Sequence, residues 1–281
     1  LAANPNPVFG KNGMIVSTSK QASEAGVDIL KKGGNAIDAA VTVGFALAVT
    51  SSSNGNIGGG GFLVASFADG ESFTLDHREK APEAAHSNMF LDENESIIPG
   101  MSLYSQASSG VPGTVDGLIR ALQDYGSGDI SLREAINPAI NLAERGFMLS
   151  HYEARQLNAY KNFFAENKAA SKIFIKQNNK PWKQGDKLIQ KDLAKTLKRI
   201  ARYGRDGFYK GPVAELIVKE MERGNGLITL KDLQKYSSKY RSPILGTYKD
   251  YEIISMGPPS SGGALLINML NMLENYPIDT I

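Results

Sequence analysis

The apolar residues of this chain follow helical spacing in some segments and alternate in others, which predicts a mixture of helices and strands. The segment AIDAAVTVGFALAVT, residues 36–50, is apolar on almost all sides. Asn35 is placed to cap it, with Asp38 near its positive end. The segment is too short to cross a bilayer, so the pattern predicts a buried core helix.

Before this helix, the apolar run at residues 13–17 predicts a strand. Thr18 and Gln21 have the spacing of a capping box, followed by a helix through Leu30 that Gly33-Gly34 ends. After the core helix, residues 62–68 and 73–77 predict two strands of a hairpin that turns at Asp69-Gly70.

The remaining pattern predicts mainly helices. Pro138 is expected to kink or split one of them, Ser131 with Glu134 forms a second capping box, and residues 150–185 are polar without a clear period. Helices are predicted at 114–124, 131–145, 190–203, from Pro212 onward and at 264–273, with a strand at 251–256 and a polar loop from Arg78 to about 108. We expect residues 1–281 to form a single α+β domain.

Composition excludes several classes of protein. The net charge is +2, so the electrostatic footprint of a dedicated nucleic-acid binder is missing. Cysteine is absent, which excludes disulfides, thiolate metal sites and a cysteine nucleophile. No apolar run reaches the length of a membrane span. A cysteine-free chain of this size favours a bacterial protein exported to the periplasm or the medium.

The glycine run and an arginine are the first candidate sites. Gly58, Gly59 and the next two glycines predict either a loop whose amides bind an anion or a tight structural connection. Arg78 follows the second hairpin strand and is flanked by Asp76 and Glu79; strand alternation puts Asp76 on its face and His77 on the other. A guanidinium held by a neighbouring carboxylate can still bind a substrate carboxylate, although a structural ion pair is the alternative.

Two further candidates have weaker signals. Ser260 and Ser261 lie between Pro258-Pro259 and Gly262-Gly263, where hydroxyls can cap a helix, line a substrate pocket or, least in keeping with the pattern, act as nucleophiles. The three histidines, His77, His86 and His151, lack the spacing of a metal site. The sequence predicts no metal and no cofactor.

Seven motifs in order carry a resemblance. They are KKGGNAIDAAV, GNIGGGGF, DHREKAP, SSGVPGTV, FYKG, GLIT with a following DL…Y, and PPSSGG, which span residues 31 to 263. This series closely resembles the gamma-glutamyltranspeptidase family over nearly the whole chain.

The resemblance implies a fold and a chemistry. The fold is the αββα sandwich of the N-terminal-nucleophile hydrolases, made as a precursor that cuts itself into a large and a small subunit. The Thr exposed by this cut is the nucleophile, and its own amine is the general base. The implied activity transfers a γ-glutamyl group from glutathione or a similar donor to water, an amino acid or a peptide.

A departure from the family concerns its processing site, because the chain contains no Thr-Thr-His stretch, before which the family's cleavage occurs. We therefore expect it to be the N-terminal part of the large-subunit region. It would contain no catalytic residue, would be inactive alone, and would need the small-subunit segment of the same precursor as its partner.

The resemblance also assigns residues. Arg78 matches the arginine of the family's R-E-x-A-P motif, which binds the α-carboxylate of the γ-glutamyl group. The glycine run then becomes structural packing near the pocket, and Ser260, Ser261, Gly58 and Gly59 are expected to line that pocket. Two alternatives stay open: a related acylase for glutaryl or poly-γ-glutamate substrates, and a binding fragment without chemistry.

Overall fold

The computed structural model describes residues 7–51 and 53–278, which form a mixture of helices and small antiparallel sheets. The helices are α1 (Lys20–Lys31), α2 (Ala36–Thr50), α3 (Met101–Tyr104), α4 (Thr114–Tyr125), α5 (Leu132–Arg145), α6 (His151–Ala159), α7 (Lys161–Glu166), α8 (Lys168–Phe174), α9 (Lys191–Tyr203), α10 (Asp206–Tyr209), α11 (Pro212–Arg223), α12 (Leu230–Lys235) and α13 (Gly262–Leu273). The strands are β1 (Phe62–Ser66), β2 (Ser72–Asp76), β3 (Phe147–Met148), β4 (Lys187–Leu188), β5 (Lys239–Arg241), β6 (Ile244–Tyr248) and β7 (Tyr251–Ser255).

These elements belong to two compact units. Unit 1 contains the described residues up to Asn56 together with Ala121–Val213, and unit 2 contains Ile57–Arg120 and the described residues from Ala214 onward. The expectation of a single domain over residues 1–281 stays a prediction. No helix among the described residues is long and apolar enough to span a membrane.

Unit 1 is built around α2, as the sequence predicts. The side chain of Asn35 accepts hydrogen bonds from the backbone N–H groups of Ile37 and Asp38, and Asp38 accepts one from the N–H of Asn35. This capping box satisfies donors that the first helical turn leaves open. Helix α1 packs against α2 through a cluster of buried side chains, Ala22, Ala25, Val43 and Ala46.

The start of the chain differs from the prediction. Residues 13–17 form no strand. Val16 is 86% exposed, whereas the apolar side chain of Ile15 packs against the α1–α2 cluster. The cap of α1 is Ser19, whose Oγ accepts from the N–H of Ala22, while the Thr18 hydroxyl donates to Ser51. The capping box predicted at Thr18 is therefore wrong: the cap lies one residue later, and Ala22 at its N3 position has no side-chain oxygen to bond back.

Two further differences concern helices of unit 1. Helix α5 begins with the predicted Ser131–Glu134 capping box and continues through Pro138, so the predicted split does not occur. A kink at Pro138 stays a prediction. The polar stretch from 150 contains α6, α7 and α8 rather than irregular chain. Ser150 and Glu153 form a capping box there, a local signal that the sequence does contain.

Unit 2 contains the predicted hairpin of β1 and β2 and the strand β7, which was predicted at residues 251–256. It also contains β5 and β6, which the sequence pattern did not predict. Strands β1 and β2 pair antiparallel, and the turn between them places Gly70 at a φ of 91°. Strand β5 adds to the other edge of β2, with Leu75 opposite Tyr240. Strands β6 and β7 form a separate hairpin on which α13 packs, since a Cβ at Gly246 would lie 2.7 Å from Ile267 Cγ2.

Candidate functional site

The backbone around Arg78 is held at successive positions after β2 ends. The N–H of Arg78 donates to Asp76 Oδ1 at 3.0 Å, and its carbonyl accepts from the Tyr236 hydroxyl at 2.8 Å. Two residues later, Lys80 exchanges backbone hydrogen bonds with Val111, at 3.2 and 2.7 Å. The chain is therefore fixed on both sides of the Arg78 Cα.

The side chain of Arg78, by contrast, is open. It is 58% exposed, its Nε lies 3.8 Å from Glu79 Oε2, and its Cζ lies 5.9 Å from the centroid of the Phe62 ring. An ion pair this long and this exposed contributes little, about 0–1 kcal/mol. The planar fork of the guanidinium is thus accessible to an anion.

The two flanking carboxylates have different roles. The sequence places Asp76 on the face of Arg78, but the mostly buried Asp76 carboxylate accepts through Oδ2 from Nε of the partly exposed Arg241 at 2.8 Å. Asp76 therefore interacts with Arg78 by accepting a hydrogen bond from the Arg78 backbone N–H, and its carboxylate does not pair with the guanidinium. The carboxylate beside the guanidinium is that of Glu79, and it holds the fork loosely.

The glycine run lies against the backbone of Arg78. A Cβ on Gly60 would be 2.5 Å from the His77 carbonyl oxygen and 2.8 Å from Arg78 Cα, while Gly61 exchanges backbone hydrogen bonds with His77. The carbonyl of Gly59 accepts from the N–H groups that begin α4. This geometry agrees with structural packing beside Arg78. That Gly58 and Gly59 line a substrate pocket stays a prediction.

His77 fills a cage of glycines, which sequence reasoning did not find. A Cβ on Gly61 would lie 2.9 Å from His77 Cε1, and a Cβ on Gly117 would overlap His77 Cβ. Among the described residues, Nδ1 of His77 has no hydrogen-bond partner. Burial lowers the pKa of His77, so the neutral imidazole is favoured. The sequence signal for this close packing was the pair Gly113 and Gly117, four residues apart, of which the first precedes α4 and the second lies in its first turn.

Tyr236 is the second residue that the sequence interpretation missed. It follows α12 directly and is buried, with its hydroxyl on Arg78 and its ring 4.8 Å from the Lys80 ammonium. Burial, helped by the nearby Lys239, lowers the pKa of Lys80. Tyr236 is the final residue of the DL…Y motif, and this motif was the only feature of the local sequence that drew attention to Tyr236.

The two serines have local roles at the start of α13. Ser260 Oγ accepts from the backbone N–H of Gly262 at 3.2 Å, which agrees with a capping or loop function. Ser261 is exposed and makes no side-chain capping bond. The Pro258-Pro259 peptide before them is cis. Whether Ser260 and Ser261 line a substrate pocket stays a prediction.

A separate cavity lies within unit 1 and has a volume of about 730 Å³. Its described lining is largely apolar and includes Phe147, Tyr160, Phe164 and Phe174. None of the predicted site residues is among the described side chains that line it. The accessible fork of Arg78 is therefore not part of this cavity.

Comparison with known proteins places the chain in a family. The model of the family described as Gamma-glutamyltranspeptidase matches residues 22–281. The chain is 44% identical over 277 residues to the glutathione hydrolase proenzyme of Pseudomonas sp. (strain A14), covering 99% of this chain and 48% of the relative. It is 35% identical to the acylase ACY 1 proenzyme of Pseudomonas sp. (strain SE83), covering 98% of this chain and 50% of that protein.

Solved structures agree. The crystal structure of Helicobacter pylori gamma-glutamyltranspeptidase superposes with a TM-score of 0.93 at 47% identity, covering 96% of this chain and 77% of the other. The chain spans about half the length of the two curated relatives named above. Matches of this extent and identity carry more than a shared fold, and the chain belongs to the gamma-glutamyltranspeptidase family.

Proposed function

We propose that this chain supplies the donor-binding part of an enzyme that transfers γ-glutamyl groups from glutathione or similar compounds to water or to an amino acid or peptide. One observation carries the proposal: Arg78 presents an exposed fork from a backbone that hydrogen bonds hold on both sides. A guanidinium binds a carboxylate through two parallel hydrogen bonds. In the proposed complex, that carboxylate is the α-carboxylate of the donor's γ-glutamyl group.

The reaction itself is assigned to polypeptide outside this chain. In the proposed mechanism, the N-terminal Thr of the small subunit attacks the γ-carbonyl, and its amine takes the hydroxyl proton. The γ-amide bond then breaks, and the donor's amine leaves with that proton. The γ-glutamyl group is held as an ester on the Thr oxygen until water or an acceptor amine displaces that oxygen. The role of Arg78 is to orient the donor so that the carbonyl meets the hydroxyl. The 281-residue chain alone is expected to be inactive.

We also propose that the described residues are an incomplete αββα sandwich. The support is apolar surface on α13, where Leu265, Met269 and Met272 are each more than half exposed. Monomeric proteins seldom leave such a patch uncovered. The proposed cover is the segment of the same precursor that becomes the small subunit.

Mass spectrometry of the complete gene product tests the processing step. We expect two fragments, cut immediately before a Thr, and activity that appears only after the cut. An intact, uncut chain with no activity would favour a binding fragment without chemistry.

A second candidate function keeps the fold and changes the donor. The similarity to a protein named as an acylase supports it, and glutaryl or poly-γ-glutamate substrates are the donors considered. A glutaryl group differs from a γ-glutamyl group only in lacking the α-amino group. Rates on L-glutamic acid γ-(4-nitroanilide) and on glutaryl 4-nitroanilide separate the two functions. Our proposal expects the first substrate to react faster, and a preference for the second would overturn it in favour of the acylase.

Location in the periplasm or outside a bacterial cell is a further proposal. It is supported by the absence of cysteine from the 281 residues. Cell fractionation of the source organism followed by detection of the protein tests it, and recovery only with the cytoplasm would contradict it.

A further inference from the structure

Tyr236 is joined to Arg78 by a contact that no local motif explains. Its ring is buried, and its hydroxyl donates to the Arg78 carbonyl at 2.8 Å across 158 residues of sequence. This carbonyl belongs to the peptide plane that follows the Arg78 Cα. Since Asp76 Oδ1 holds the N–H on the other side, the two contacts together fix the direction in which the side chain leaves the backbone.

The packing around the hydroxyl leaves it little freedom. A Cβ on Gly113 would overlap both the Tyr236 hydroxyl oxygen and the His77 carbonyl oxygen. The absence of a side chain at position 113 therefore makes room for the phenol at the point where it reaches the 77–78 backbone.

The ring is also held from the side of Lys80. The Lys80 ammonium lies 4.8 Å from the ring centroid and donates to the Ser237 carbonyl. A cation over an aromatic face is attracted by the ring's quadrupole. The phenol thus contacts two groups of the same segment, the carbonyl of Arg78 through its hydroxyl and the ammonium of Lys80 through its ring.

We propose that Tyr236 is a positioning residue that aims the Arg78 fork at the donor's α-carboxylate. The inference rests on the proposed function and deepens it. An exposed arginine has many rotamers, and fixing the backbone restricts the positions from which its fork can bind a carboxylate. Tyr236 therefore acts on donor affinity through Arg78, without contacting the donor.

The test uses the complete gene product and two donors. These are L-glutamic acid γ-(4-nitroanilide) and 4-aminobutyryl 4-nitroanilide, which lacks only the α-carboxylate. Tyr236→Phe keeps the ring and its contact with Lys80 and removes the hydroxyl. We expect KM for the glutamyl donor to rise about three- to tenfold, the range for one lost hydrogen bond, with kcat nearly unchanged. KM for the donor without the carboxylate should not change.

Tyr251→Phe is the matched control. Tyr251 lies in β7 and is 71% exposed, and we expect both KM values to stay unchanged. A second variant pair places Tyr236→Phe in an Arg78→Ala background. There the additional effect of Tyr236→Phe on KM should vanish, because it has no fork to aim.

The outcomes separate this inference from the proposed function. If Arg78→Ala raises KM for the glutamyl donor but Tyr236→Phe does not, the positioning role is wrong and the proposed function stands. An equal rise of KM for both donors, or a full additional effect in the Arg78→Ala background, would show that Tyr236 is merely structural. If Arg78→Ala leaves KM unchanged, both the proposed function and the inference are overturned.

Discussion

Helices α2 and α13 are almost equally apolar, yet one is buried and the other exposed. Helix α2 has one charged residue, Asp38, and α13 has none. The apolar side chains of α2 are mostly buried, namely Ile37, Ala39, Val41, Val43, Phe45, Ala46, Ala48 and Val49. Those of α13 are mostly exposed, namely Leu265, Leu266, Met269, Met272 and Leu273.

The difference shows that composition predicts the need for burial and not its presence. Helix α2 meets α1 and α5 within unit 1. Helix α13 lies on β6 and β7 with its Gly263 side, where a Cβ would be 2.8 Å from Ser255 Oγ. The side chains on its other face are apolar, as in a protein core, but they are exposed to solvent. This is the pattern expected of a fold that further polypeptide completes.

The largest effect is expected inside α2. Val41→Asp places an unpaired carboxylate at a position with no exposure and should destabilise the complete gene product by more than about 4 kcal/mol. Urea unfolding, or the loss of soluble protein, measures it. Val16→Asp is the matched control at 86% exposure and should change stability by less than about 0.5 kcal/mol. Similar losses for both would contradict the burial of α2.

The next effect depends on what covers α13. In the complete gene product, Leu265→Asp should cost about 2–4 kcal/mol, because the proposed cover buries the carboxylate. In the 281-residue chain, the same change should leave stability nearly unaltered and reduce self-association, since Leu265 is 55% exposed there. Urea unfolding and sedimentation velocity measure the two effects. A small effect on stability in both proteins would mean that this face has no cover.

A smaller effect compares glycines in α1 and α13. Gly26→Ala would put Cβ 2.6 Å from Val43 Cγ2, so we expect a loss of about 1–3 kcal/mol from overpacking. Gly262→Ala meets only Ser260 Oγ at 3.4 Å and should be neutral or stabilising by up to about 1 kcal/mol. Thermal unfolding of both variants checks the difference, and equal shifts would refute the close packing of α1 on α2.

The smallest effect concerns a buried polar atom in unit 2. Burial lowers the pKa of His77 despite Asp76, Glu79 and Asp116, so the unfolded chain binds the proton more readily than the folded protein. The stability from the neutral imidazole is therefore complete above the ordinary pKa of 6.5 and is lost as the pH falls below it. In the wild-type protein this loss of stability should amount to less than about 1 kcal/mol between about pH 7.5 and 6, and in His77→Phe it should be absent.

Unfolding midpoints across that range measure the effect of His77→Phe. If the unfolding midpoint of the wild-type protein does not fall more steeply with decreasing pH than that of His77→Phe, the buried, neutral imidazole of His77 is contradicted.

Local sequence signals predicted much of the fold. The cap at Asn35, the limits of α2 and the turn at Gly70 are confirmed, because each depends on residues close in sequence. Strand β5 was missed, since its pairing of Tyr240 with Leu75 joins distant segments. The strand expected at residues 13–17 was wrong, because one apolar side chain there packs on helices without any strand pairing.

The candidate site shows the same limit. Arg78 could be singled out from its motif, and the glycine run could be expected near it, but the residues that hold it could not. His77 was assigned only a side of the strand, whereas its surroundings depend on glycines of α4. Tyr236 reaches Arg78 from far along the chain, so only the tertiary structure reveals the contact.

Arg78→Lys in the complete gene product tests the central claim most directly. Lysine keeps the positive charge but replaces the fork with a single ammonium, which cannot form the two parallel hydrogen bonds to a carboxylate. We predict that KM for L-glutamic acid γ-(4-nitroanilide) rises by at least about tenfold while the protein remains folded and processed. An unchanged KM would contradict the assignment of Arg78 to the donor's α-carboxylate.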